Sequence, residues 1–124
     1  MTRRYVALVV SIDEIVEEEV VLLIEDVEVK CFLNYCPSKI EVGKQYEIEL
    51  EMVLPDEGFV VAAEKQKHTL EMIGEGFSCV LFGYLDGSVF RSFVDFEDQE
   101  IHFEYPELNE QYVKIAVDRI DVSF

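Results

Sequence analysis

Basic side chains are few in this chain of 124 residues: 10 Lys and Arg stand against 27 Asp and Glu, a net charge of 10 − 27 = −17. That shortage opposes binding to phosphate backbones, which works by replacing counterions with Lys and Arg. Cysteine is scarce too, and three residues do not make a disulfide scaffold. Cys31 and Cys36 are five apart, so in a regular strand they point to opposite faces and match no zinc-knuckle spacing. Cys79 sits in an apolar run and reads as a small core residue. No apolar run approaches the ~20 residues that a membrane-spanning helix needs. There is no Gly-x-Ser-x-Gly elbow, no Gly-rich phosphate loop and no EF-hand pattern. His68 and His102 are the only histidines, and His102 reads as a surface side chain between Glu100 and Glu104. The expectation is a protein without catalytic residues, cofactor or metal site.

What is present points to a packed core. Half the residues are hydrophobic, with nine Phe and six Tyr. That content argues against disorder despite the charge and fits one domain over residues 1–124. Met1-Thr2-Arg3-Arg4 followed by Tyr5 to Val10 superficially resembles a signal peptide. The run stops at Ser11, however, and Asp13-Glu14 follow without a small-residue cleavage site. It reads as a first strand, and cytoplasmic residence with reduced cysteines is the default.

Strand patterns dominate. Tyr5–Ile12 and Val20–Ile24 are nearly continuous apolar runs, which suit strands buried on both faces or closing a barrel. Asp13 to Glu19 reads either as a charged hairpin connection or as one helical turn. Tyr46, Ile48, Leu50, Met52 and Leu54 alternate with Glu47, Glu49 and Glu51, the mark of a half-exposed antiparallel strand. Gly43 precedes it, and Pro55-Asp56-Glu57-Gly58 ends it. Thr69–Ile73 reads as strand or short helix. Asp86-Gly87 between two apolar runs marks a hairpin, with type I′ geometry expected at those two residues. Asp95 to Glu100 reads as a solvated loop, and Ile101, Phe103 and Tyr105 alternate as in a strand. Near Asp118-Arg119 the apolar phase moves from odd to even positions, which predicts a bulge or a change of face. The fold class is all-β: an antiparallel Greek-key or OB-like barrel or sandwich of about seven strands, with at most one short helix.

Two stretches repeat an order of strand, Tyr, Pro, connection, Gln-Tyr, strand: Phe32 to Tyr46 and Phe103 to Tyr112. Strand-ending proline explains this as well as duplication does. Ile40-Glu41-Val42-Gly43-Lys44-Gln45-Tyr46 and the strand after it resemble the strand entry of OB-fold-like barrels, and Leu108 to Val113 resembles a degenerate copy. The resemblance implies a fold class. It also implies oligonucleotide or oligosaccharide binding, yet the aromatic and basic face that such binding needs is not evident in the sequence.

The row Glu47, Glu49, Glu51 has two readings: protection of a sheet edge, or docking of a basic partner. Glu17, Glu18 and Glu19 add to the acidity of the first half. The functional expectation is a non-enzymatic acidic binding protein, inhibitor-like or immunity-like, that docks a basic protein partner through these six residues and binds neither nucleic acid nor membrane. The alternatives are an oligomerising accessory domain, such as a homodimer, whose acidity serves solubility, and an OB-like binder of oligosaccharide or oligonucleotide.

Overall fold

The structure is a computed structural model, and it describes residues 3–56 and 59–124. Glu57-Gly58 of the strand-ending turn and Met1-Thr2 lie outside the described residues. Among the described residues eleven strands form two sheets, more than the expected seven or so. The excess arises because short strands of three or four residues are too brief to show a period in sequence.

The first sheet is a closed barrel, ordered β1-β2-β3-β11-β4. Its strands are β1 (Arg4–Ile12), β2 (Glu19–Ile24), β3 (Val27–Tyr35), β4 (Gln45–Val53) and β11 (Arg119–Ser123). Every pairing is antiparallel except β11 on β3, which is parallel. The interior is filled by alternate side chains, among them Val9, Leu22, Val29, Ile48 and Val122, all buried. Each such residue contributes roughly 1.5–3 kcal/mol by leaving water. The apolar run in β1 does close a barrel, but only one of its faces is buried. Ala7 and Val9 point inward, while Val6 is 58% exposed. The connection from Asp13 to Glu19 contains no helix; Asp13 Oδ1 accepts from the amides of Ile15 and Val16, both at 2.8 Å.

The second sheet lies in chain order between β4 and β11. It holds β5 (Val60–Ala62), β6 (Thr69–Met72), β7 (Cys79–Asp86), β8 (Val89–Arg91), β9 (Asp95–Glu97) and β10 (Tyr112–Val117). The order is β5-β10-β7-β8-β9, with β6 also on β7. Thr69–Met72 is thus a strand. The β7–β8 hairpin forms one residue later than expected. Asp86 pairs with Val89, so Gly87 and Ser88 are the central residues. Gly87 has φ +61° and Ser88 is not in the left-handed region, the pattern of a II′ rather than a I′ turn.

A six-residue helix, α1 (Gln99–Glu104), replaces the strand expected around Phe103. Asp98 caps it by accepting from the Ile101 amide at 3.2 Å. Ile101 is buried while Phe103 is 78% exposed, so the alternation of Ile101, Phe103 and Tyr105 was a coincidence of five residues. Asp95 to Glu100 is likewise no loop: it is β9, a cap and the first helical residues. In the second copy of the Tyr-Pro pattern a helix stands in place of the strand and Pro106 opens a 3-10 turn, so the two copies do not share a structure. The phase change at Asp118 is where the chain leaves the second sheet as β10 and enters the barrel as β11.

The two sheets share one core and meet along a polar seam. The Tyr5 hydroxyl donates to the Asp95 carbonyl at 2.8 Å and accepts from the Asp95 amide at 3.0 Å. Arg3 reaches the Asp95 carboxylate at 2.8 Å, and Lys30 donates to the Glu75 carbonyl at 2.9 Å.

Candidate docking surface

The alternation in β4 places Glu47, Glu49 and Glu51 on the outside of the barrel, as its sequence implies. β4 lies between β1 and β11 in a closed sheet, so this row guards no edge. Arg4 on β1 lies 3.7 Å from Glu47 and 3.4 Å from Glu49. Opposite Glu51 stands Asp121, whose carboxylate is taken by Arg119 at 2.8 Å. Among the described residues, no Lys or Arg lies within ion-pair distance of Glu51.

Glu51 also opens a cleft between the barrel and the second sheet. One cavity of about 380 Å³ is lined by Arg3, Glu51, Asp95, Glu97 and Asp98 among others. An adjoining cavity of about 320 Å³ shares Glu51 and Asp98 and adds Asp56 and Glu100. Among the described residues that line it, the cleft gathers six carboxylates and one cation, Arg3, which pairs with Asp95 and Glu97; Arg91 holds Asp95 from outside the lining. Tyr5 forms part of its wall, and burial pushes that phenol's pKa up.

On the other side of the β4 row the barrel exterior turns apolar. Val6, opposite Glu47, is 58% exposed, and Val10 further along β1 is 37% exposed. An apolar strip rimmed by charge is the usual anatomy of a protein-binding face.

Glu17, Glu18 and Glu19 line neither cavity of the cleft. The register runs from Glu19 through Phe32 and Asp121 to Glu51 across β2, β3, β11 and β4, so along it this group stands three strands away from the β4 row. Glu19 is engaged by Lys30 at 3.8 Å.

The remaining chemistry-bearing residues are scattered. Cys31 and Cys79 are buried thiols, and burial pushes both pKa values up, that of Cys79 to about 11. His68 lies on the outer face of the second sheet, with Nδ1 at 2.9 Å from the Arg91 carbonyl and Nε2 at 3.3 Å from the Tyr112 hydroxyl. His102 is half-buried on α1 rather than outward on a strand. Among the described residues, no group of three or more His, Cys, Asp or Glu is arranged to hold a metal ion. No helix is long and apolar enough to cross a membrane among the described residues.

Sequence reasoning missed two things. Four of the cleft carboxylates, Asp95, Glu97, Asp98 and Glu100, stand in one acidic stretch that reads as a solvated loop, and its packing beside Glu51 and Asp56 is what the sequence does not show. The second omission is an aromatic and basic face: Phe82, Tyr84 and Tyr112 lie together on the outer side of the second sheet with Lys67, Arg91 and Lys114. The period-two burial of β7 carried that signal, hidden in a run that is apolar at every position from Val80 to Phe82. Arg91 on this face is already engaged by Asp86 and Asp95, both at 3.0 Å, and these carboxylates push its pKa up.

No curated protein and no solved structure matches the chain. One family model does match, over residues 3–124, and the chain accordingly belongs to the family described as uncharacterised conserved protein UCP019853.

Proposed function

We propose that this protein is a non-enzymatic acidic binding protein of the cytoplasm, and that it docks a basic protein partner on the barrel exterior and the adjoining cleft. One observation supports the reading above the others: Glu51 belongs both to the β4 row and to the two cavities, so row and cleft form one continuous acidic surface. Such a surface steers a cationic partner during its approach and speeds association at low salt. The apolar strip of Val6 and Val10 supplies the area that charge alone does not. The same charge disfavours nucleic acid, which the net −17 repels.

Association kinetics with the partner recovered by affinity capture test the reading. The variant Glu51→Gln/Asp56→Asn/Glu100→Gln removes three carboxylates that no cation of the described residues engages. The expected outcome is an on-rate about tenfold lower at low salt, with a flatter salt dependence. The variant Glu17→Gln/Glu18→Gln, three strands from the row along the register and outside the cleft, should leave the rate within about twofold. A captured partner that is itself acidic, or equal effects of the two variants, would sink the proposal.

A further inference from the structure

The second sheet packs one face on the core and leaves the other open. On the open face, Val80 and Phe82 of β7 form a central column. The register sets Lys114 beside Phe82 and Ala116 beside Val80 on the β10 side. It sets Thr69 beside Phe82 and Glu71 beside Val80 on the β6 side. Val61 on β5, 47% exposed, lies next to Lys114 at the sheet edge. Val61, Glu71, Val80, Phe82, Lys114 and Ala116 line a shallow groove of about 260 Å³. Lys67 extends over the Phe82 ring, 5.6 Å from its centroid.

The charge of this face differs from that of the molecule. The groove and its neighbour carry Lys65, Lys67 and Lys114 against Glu64 and Glu71, a local sum of 3 − 2 = +1 on a body of −17. Two copies repel when they approach through acidic surface, and least when they approach here. The pattern is also self-complementary. Rotation by a half turn about an axis along β7 lays Val80 and Phe82 on their own counterparts. It also lays β10 of one copy over β6 of the other. Lys114 then faces Thr69 and sits one same-face step, ~7 Å along the strand, from Glu71. A lysine side chain spans that step, and the two-fold repeats the pair on the other side.

We infer that the open face of the second sheet is a self-association surface whose occupant is a second copy of this chain. The interface is isologous: Lys67, which covers the Phe82 ring in the single chain, swings aside to the rim, the Val80–Phe82 column meets its counterpart on the axis, and two Lys114–Glu71 pairs flank it. Sheets stacked this way lie about 10 Å apart and bury the exposed Val61 at their margin. This inference is independent of the acidic docking surface, which remains accessible on the barrel.

Sedimentation equilibrium over a concentration series reads the result. Wild-type protein should approach twice the 14.4 kDa chain mass. Lys114→Glu turns two attractive pairs repulsive and should weaken dimerisation by about tenfold. The charge swap Lys114→Glu/Glu71→Lys restores both pairs and should recover most of that loss, which a folding defect would not. Val61→Glu, at an exposed edge position, should also shift the protein towards monomer. A one-chain mass up to about 1 mM overturns the inference. So does a dimer indifferent to Lys114→Glu, or a swap that fails to restore it.

Discussion

The barrel and the second sheet solve the same problem in opposite ways. Each barrel strand has a hydrogen-bonded neighbour on both sides, so the barrel has no edge to protect. The second sheet ends in β5, β6 and β9, each with one neighbour in the sheet. Charge is distributed to match. The barrel side carries the Glu row and contributes to the acidic cleft, while the open sheet face is close to neutral. A closed sheet tolerates any exterior, whereas an open face is a place where another chain fits. The difference sets apart two surfaces of opposite character, one acidic and one close to neutral and apolar.

Two substitutions ask how far the regions stand apart. The larger effect is expected from Gly83→Ala in β7. A Cβ there would overlap the Arg91 carbonyl oxygen and lie 2.8 Å from its carbon and 2.9 Å from Phe90 Cε1. Backbone cannot rotate aside, so the cost should be about 3 kcal/mol. Hydrogen exchange should show protection lost in Cys79–Arg91 before Val20–Val29. Equal loss in both would mean that barrel and sheet open as one unit, and the contrast between them would fail. Tyr5→Phe cuts the seam instead. It leaves the half-buried Asp95 amide and carbonyl without the hydroxyl that serves both. A loss of about 2 kcal/mol is expected by denaturant titration, with exchange rising at Asp95–Glu97. A change below about 0.5 kcal/mol would show that packing, not this bond, holds the sheet to the barrel.

The barrel was legible where one face of a strand is polar. Glu47, Glu49 and Glu51 announce β4 and its inward partners Ile48, Leu50 and Met52 without any structure. The crossing at Asp118 was legible too, because a phase change in an alternating strand has few causes. Short elements were not. Asp98 can cap a helix or sit in a loop, and only the burial of Ile101 decides between them. The acidic row was read correctly as outward, but it guards no edge because β4 has a partner on each side, β1 and β11, both remote from it in sequence. The cleft was beyond sequence because its carboxylates meet only when β9 and α1 pack beside the end of β4.

The smallest effect, and the one confined to the barrel, concerns the β2–β3 hairpin. Ile24 pairs with Val27, so Glu25 and Asp26 are its central residues. Both have positive φ, +50° and +64°, which makes this a type I′ turn built without glycine or asparagine. A side chain with a Cβ costs roughly 1–2 kcal/mol in that conformation, and Asp bears it better than Glu. Glu25→Asn/Asp26→Gly supplies the residues that this turn favours. Part of the gain is returned through the more flexible unfolded chain. The net expectation is about 1 kcal/mol of added stability, or about 4 °C in Tm. The double change also removes two negative charges from a body of −17, which by itself relieves repulsion. Salt separates the two causes, because the screening length falls to about 3 Å at 1 M. A gain that persists at 1 M salt is conformational and confirms strain stored in the barrel. A gain that vanishes there, or appears equally in Glu25→Gln, assigns it to charge, and the hairpin is then no less suited to its turn than the Gly87 hairpin of the second sheet.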